Sequence, residues 1–170
     1  MNKNFPLQSI IRRAHQKKKS LGLFLKRLKR NPPKDLLKIV KQANAETEKE
    51  IDCLACSNCC RTMTPTFKKS EVKKLAEFKG MTYQQYFDKY LMIDEDNGDI
   101  VNKKQPCQHL SLKTNMCEVY EIRPLDCSGF PHFKRRDFID QTKVYTENLH
   151  RCPITLSVIE KIEREVESRK

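Results

Sequence analysis

The chain has 170 residues, of which 38% are hydrophobic and 33% are charged, with no tryptophan and eight cysteines. This length suits one ordinary domain, or a smaller domain with an extension, and it supports only a modest apolar core. The longest early apolar stretch, residues 21–25, is far shorter than a signal-peptide core or a membrane span. We therefore expect a cytoplasmic protein without a transmembrane segment. In that reducing compartment, closely spaced cysteines are expected to be metal ligands or redox groups and not structural disulfides.

The net charge of +12 is concentrated in the first quarter of the chain. Residues 1–41 contain thirteen Lys or Arg and one acidic residue, a net +12, whereas the remainder has 21 basic and 21 acidic residues. Such a segment attracts polyanions, so residues 1–41 are predicted to bind nucleic acid or anionic lipid weakly. The alternatives are a solvated helix that only improves solubility and an organelle transit peptide.

Two helices are predicted before the first cysteine. Apolar residues recur at helical spacing from Leu7 to Leu28, and the sequence Asn-Pro-Pro at residues 31–33 ends the pattern. A second helix is predicted from about residue 34 to residue 50, with Leu36, Leu37, Val40 and Ala43 inward. Residues 1–50 are therefore predicted to form a basic helical N-terminal extension.

Two shorter helices and one strand are predicted between residues 64 and 103. Ser70 has the sequence context of an N-cap, and Gly80 closes that helix. Thr82 and Gln85 form a capping box that opens a helix through Leu91. The aromatic stripe of this helix is interpreted as core, and it consists of Tyr83, Tyr86, Phe87 and Tyr90. A turn at residues 96–99 then leads into a short strand.

The chain from Cys107 to His132 is predicted to be irregular, and a final helix begins at Pro153. The fold class is therefore mainly α, with a small cysteine-rich metal-binding core, irregular loops between the helices and little β-structure. Residues 51–153 are predicted to form the cysteine-cluster metal-binding domain, and residues 154–170 a C-terminal helix.

The motif Cys53-x2-Cys56-x2-Cys59-Cys60 is the most informative part of the sequence. Two-residue spacing lets two thiolates reach one metal from the same turn, as in zinc knuckles and iron–sulfur sites. The adjacent pair is expected to diverge, and so to serve two metals or one polynuclear cluster. The predicted metal ligands are Cys53, Cys56, Cys59, Cys60, Cys107, Cys117, Cys127 and Cys152.

The predicted cofactor is zinc or iron, and the iron alternative includes an iron–sulfur cluster. Thiolate-rich sites suit both metals, and spacing alone does not separate them. Each of His109, His132 and His150 could replace a thiolate on zinc. Because eight thiols are available, they are instead interpreted as surface groups or as groups that support the ligands. His15, in the basic segment, is predicted to be solvated.

At these residues the chain resembles the YkgJ-type cysteine-cluster family of zinc- or iron-chelating proteins. The matching elements are CLACSNCC at 53–60, PCQHL at 106–110, CEVYEIRPLDCSGFP at 117–131 and CP at 152–153. The resemblance implies that the cysteines are metal ligands. It also matches Tyr120, Arg123 and Pro124 to the family's Y-x-x-R-P element, in which the arginine either offsets thiolate charge or is a surface residue beside a turn.

Three functions agree with these observations. The sequence favours a metal-handling or accessory protein. The second function is an iron–sulfur-dependent redox or protein-modifying enzyme, and a similar cysteine cluster occurs in flagellin lysine N-methylases. The third is a structural-zinc binding module whose basic tail contacts nucleic acid or anionic membrane. An enzyme is less favoured, because no acid, base and nucleophile stand out and four glycines provide no Gly-rich cofactor loop.

Overall fold

The computed structural model describes residues 6–169, so the ends of the predicted basic segment and of the predicted C-terminal helix lie outside the described residues. The described chain is mainly α-helical, as predicted, with one two-stranded sheet. The elements in chain order are α1 (Leu7–Arg30), α2 (Leu36–Glu50), α3 (Cys53–Cys56), α4 (Asn58–Thr62), α5 (Lys69–Phe78), α6 (Tyr83–Tyr90), β1 (Leu91–Ile93), β2 (Ile100–Asn102), α7 (Leu125–Gly129), α8 (Thr142–Asn148) and α9 (Pro153–Glu167). Short 3-10 turns occupy Tyr120–Ile122 and Phe138–Gln141. Within residues 6–169, no helix is both long enough and apolar enough to cross a membrane.

These residues form two compact units. The first unit contains the chain up to Cys56 and from Pro131 onward, and the second unit contains residues 57–130. The predicted boundaries at residues 50 and 153 follow the cysteine signature instead of this packing, and they stay a prediction.

The first unit is built on the long helices that the sequence predicts. The apolar side of α1 is buried, with Leu21 and Leu25 fully enclosed, and α1 packs against α8 and α9. Gly22 permits a close approach to α8, because a Cβ there would lie 3.2 Å from Thr146 Cγ2. Helix α9 also packs against α2, and its Ile159 is fully buried. The basic helices α1 and α2 are therefore part of a folded core.

The second unit has its own apolar core, formed by α5, α6 and the hairpin. Its buried members are Phe67, Val72, Leu75, Ala76, Tyr86, Leu91, Ile100 and Val119. Tyr83, Phe87 and Tyr90 are partly buried and pack against this group, so the interpretation of the aromatic stripe as core is confirmed.

Capping residues set the starts of α5 and α6. The predicted capping box of α6 is present, because the Gln85 N–H donates to Thr82 Oγ1 at 3.2 Å and the Thr82 N–H donates to Gln85 Oε1 at 2.9 Å. The predicted cap of α5 is wrong by two residues. Lys68 precedes that helix, and its N–H donates to the Glu71 carboxylate at 2.8 Å.

The hairpin corrects the predicted end of α6. Leu91 has an extended backbone, with φ −120° and ψ 159°, and begins β1 instead of continuing the helix. Strand β1 pairs antiparallel with β2, and Leu91 lies opposite Asn102. The sequence predicted only the second of these strands, because strand pairing depends on a partner that is not adjacent in the chain.

Candidate metal centre

The cysteine motif lies on two short helices that meet at Ser57. Cys53 and Cys56 begin and end α3, where residues three apart are neighbours on the helix surface. Cys59 and Cys60 are both on α4. Ser57 has φ 46°, in the left-handed region where a residue other than glycine is uncommon. The helical path is therefore interrupted in the middle of the motif.

Cys59 and Cys60 place their sulfur atoms side by side. The two Sγ atoms are 3.9 Å apart. Thiolates at about 2.3 Å from a tetrahedral zinc ion are about 3.8 Å from each other. The pair thus has the separation of two ligands on one metal, and the expectation that these side chains diverge is wrong. Neighbouring residues of a helix point about 100° apart, and the side-chain torsions of Cys59 and Cys60 bring the two sulfur atoms together despite this difference.

Four thiols of the second unit are close enough for their charges to interact. Burial is the main cause that raises the pKa of Cys107, Cys117 and Cys127, and a negative charge at Cys60 raises all three further. Thiolates in such a group repel one another, so a bound cation is needed before all of them ionise together. This donor set fits a thiophilic metal ion such as zinc or iron.

Cys60 is the thiol of this group that ionises most readily. Its pKa is lowered to about 7, first by the hydrogen bond with Cys59 and also by the positive charges of Arg61 and Arg123. Thiolates, not thiols, bind metals. Near neutral pH, Cys60 can therefore form the thiolate, which is the form that binds metals.

Arg123 is held in place by the preceding tyrosine. Its guanidinium carbon lies 3.6 Å from the centre of the Tyr120 ring, and its Nη1 donates to the Tyr120 carbonyl at 2.6 Å. From there its charge lowers the pKa of Cys60 and opposes the rise at Cys117. Of the two roles left open by the sequence, the structure favours an arginine that offsets thiolate charge.

Backbone hydrogen bonds tie the cysteine loops together. The Cys107 N–H donates to the Cys60 carbonyl at 2.8 Å, and the Glu118 N–H donates to the His109 carbonyl at the same distance. An isolated antiparallel bridge between Leu110 and Cys117 joins the same two loops. The positions of Cys60, Cys107 and Cys117 are thus coupled through the main chain.

Two acidic side chains hold the loop of Cys127. Glu71 accepts a hydrogen bond from the Leu125 N–H at 2.9 Å, and Asp126 accepts one from the Thr66 N–H at 3.0 Å. These bonds attach α7 to the start of α5. Sequence reasoning did not identify this anchoring, because the partners are more than fifty residues apart.

His109 is buried beneath the loops and supports them. It is 3% exposed, its Nε2 lies 2.6 Å from Tyr86 Oη, and its Nδ1 lies 3.5 Å from the Glu118 carboxylate. Lys79 in turn contacts that carboxylate at 2.6 Å. Burial lowers the pKa of His109. Of the interpretations offered for this histidine, the supporting role agrees with the structure and the surface role is wrong.

We expect Tyr86→Phe to lower the free energy of unfolding by about 1–3 kcal/mol, because the buried imidazole of His109 loses its closest hydrogen-bond partner. Urea unfolding measures the change. Tyr83→Phe is the matched control, since Tyr83 packs at the edge of the same core and its change should be within about 0.5 kcal/mol. Equal effects of the two substitutions would contradict the supporting role of the hydroxyl.

The other predicted ligands lie in the first unit. Cys53 is exposed and Cys56 is buried. Cys152 is buried at the start of α9. Burial raises the pKa of its thiol, and backbone hydrogen bonds from Thr155 and Ile154 lower that pKa by a smaller amount. Among residues 6–169, no three or more Cys, His, Asp or Glu side chains have the arrangement of a formed metal site. The full eight-cysteine ligand set therefore stays a prediction.

The remaining histidines also lie in the first unit. His15 is exposed on α1, as predicted, while His132 and His150 are partly buried. The ring centres of His15 and His150 are 5.1 Å apart.

Comparison with known proteins identifies the family of the cysteine-containing region. Residues 52–153 match the family model CxxCxxCC, whose description is a proposed zinc- or iron-chelating domain. This chain belongs to the CxxCxxCC family. Its matched region contains all eight cysteines. The protein thus contains a metal-chelating domain.

One relative of this CxxCxxCC protein is an uncharacterized protein of Methanocaldococcus jannaschii. The two are 30% identical over 83 residues, which make up 47% of this chain and 43% of that protein. The match thus spans less than half the length of that relative. No solved structure matches the chain.

Proposed function

We propose that this protein binds a zinc or iron ion through the thiols of its second unit and acts in metal handling, as a carrier or accessory protein. The observation that carries the proposal is the group formed by Cys60, Cys107, Cys117 and Cys127, with Cys59 Sγ 3.9 Å from Cys60 Sγ. The cytoplasm is the compartment that we propose, because its reducing chemistry keeps such thiols available.

The exposure of the thiols supports handling over a purely structural role. All five are partly exposed, and Cys117 is the one among them that also packs against the apolar core of the second unit. Structural zinc sites are closed by four protein ligands. A site with accessible thiolates lets an incoming ligand attack the metal, so uptake and release are both possible.

The charges around Cys60 support the same conclusion. Arg61 and Arg123 favour its thiolate before any metal is present. A thiolate that forms near neutral pH captures a cation without first losing a proton. The other three thiols then ionise as the metal offsets their mutual repulsion.

Metal analysis of anaerobically purified protein tests this proposal. We expect stoichiometric zinc or iron, no acid-labile sulfide, and transfer of the metal to a chromogenic chelator within minutes. Acid-labile sulfide with visible absorption would replace the proposal by an iron–sulfur protein. Metal that stays bound for many hours would indicate a structural site, and protein without metal after reconstitution would contradict metal binding through these thiols.

A further inference from the structure

The outward side of α1 carries a row of cations with no acidic partner. Arg12, Lys19, Lys26 and Arg30 are all exposed, and none forms a salt bridge with another described residue. At 100° per residue, these four side chains leave the helix within about 40° of one another. We call this row the basic stripe. It extends over about 27 Å at 1.5 Å per residue.

The neighbouring cations of α1 are used differently. Arg13 and Lys17 pair with Glu160 of α9 at 3.3 and 2.9 Å, and Arg27 pairs with Glu167 at 3.3 Å. These pairs attach α1 to α9 along one flank. The positive charge of the basic stripe is therefore not needed for packing the helix, and it faces solvent without compensation.

We propose that the basic stripe binds the phosphate backbone of nucleic acid. Double-stranded DNA carries about one negative charge per 1.7 Å of its axis, so a row of this length faces many phosphates. Four cations on one side of a rigid helix meet up to four of them. Such contacts carry no sequence information, so the binding is weak, sequence-independent and sensitive to salt.

The packing of α1 argues against a membrane surface as the partner. A helix that lies on a bilayer inserts its apolar side between the lipids. Here that side is already in the core of the first unit, where Ala14, Leu21 and Leu25 are fully buried. Leu23, 49% exposed, is the exposed apolar side chain along the basic stripe, and one side chain provides little insertion energy. The basic stripe is therefore better suited to electrostatic attraction of a soluble polyanion than to membrane binding.

Two variants with equal charge separate the basic stripe from general basicity. The stripe variant carries Arg12→Gln, Lys19→Gln, Lys26→Gln and Arg30→Gln. The control variant carries Lys73→Gln, Lys74→Gln, Lys104→Gln and Lys113→Gln, all exposed in the second unit and without a salt bridge to a described residue. Both have a formal net charge of +8, which is +12 minus 4. Glutamine is a good helix former, so α1 should persist, and circular dichroism together with metal content verifies this.

Fluorescence anisotropy with a labelled DNA duplex of mixed sequence then measures affinity from about 50 to 200 mM salt. Four phosphate contacts give a slope of log affinity against log salt of about −3.6, or a loss on the order of 100-fold over this range. We expect the parent and the control variant to show this dependence, and the stripe variant to lose most binding and most of the slope. Equal losses in both variants would overturn the proposal. So would stripe-dependent binding to phosphatidylserine vesicles without binding to the duplex.

Discussion

Replacing Cys60 by serine is expected to weaken metal binding more than any single change outside the thiol group. Serine keeps the size of the side chain but provides no soft thiolate. Removing a group that only supports a ligand costs about 10–100-fold in metal affinity, so loss of this ligand should cost more than about 100-fold. Cys60 has the lowest pKa of the interacting thiols and also pairs with Cys59, so its replacement removes the first point of attachment.

Two further variants provide metal affinities with which that of Cys60→Ser can be compared. Arg123→Gln removes the charge that favours the thiolates and should reduce affinity by about tenfold, at the low end of the range for supporting groups. His15→Gln changes an exposed imidazole of the first unit and should leave affinity unchanged. Competition with a chelator of known affinity measures all three. If Cys60→Ser retained metal as well as His15→Gln, Cys60 would not be a ligand.

The long helices could be predicted because their signals are local. The apolar periodicity of α1 and α9 continues over several turns, and the capping box of α6 occupies four consecutive residues. Helix α8 was missed because its seven residues show no such pattern. It contains Tyr145, which is buried against neighbouring aromatic rings. Tertiary packing of this kind is not visible in a short window of sequence.

The sequence also predicted the nature of the metal centre better than its geometry. Thiol spacing identified a metal-chelating domain, which membership of the CxxCxxCC family confirms. Which thiols come close together depends on hydrogen bonds between segments that are distant in the chain, such as the bond from the Cys107 N–H to the Cys60 carbonyl. The burial of His109 depends on Tyr86, 23 residues earlier. These relationships are set by the folded core, so residue spacing could not reveal them.

The sequence likewise predicted the charge of the basic segment, residues 1–41, but not how its cations are paired. Its net charge is plain in the composition, but the division between paired and unpaired cations is not. Arg13 and Lys17 form salt bridges with Glu160, and Arg27 forms one with Glu167. Both glutamates lie near the other end of the chain. The proposal of polyanion binding therefore rests on the four side chains of the basic stripe, and not on the whole of residues 1–41.

Removing the metal is expected to destabilise the second unit by several kcal/mol while the first unit stays folded. Structural zinc contributes about 10–16 kcal/mol of apparent binding free energy, against a net stability of about 5–15 kcal/mol for a typical domain. Even for a weaker, exchangeable site, the metal-binding free energy is thus large compared with the net stability of a domain. In the second unit the thiols lie on loops and on the short helices α4 and α7, and backbone hydrogen bonds join the segments of Cys60, Cys107 and Cys117. The first unit instead has a core of long helices.

Hydrogen exchange locates this effect within the chain. Without metal, the Cys107 and Glu118 amides should exchange markedly faster, because they join the cysteine loops by donating to the carbonyls of Cys60 and His109. The amides of Leu21 and Leu25, in the buried part of α1, should keep their protection. Cys117→Ser should reproduce the metal-free pattern even when metal is supplied, since it removes a thiol of the group without touching either hydrogen bond. Equal acceleration in α1 and in the loops would mean that metal stabilises the whole chain, and unchanged exchange in the loops would mean that fold and metal are independent.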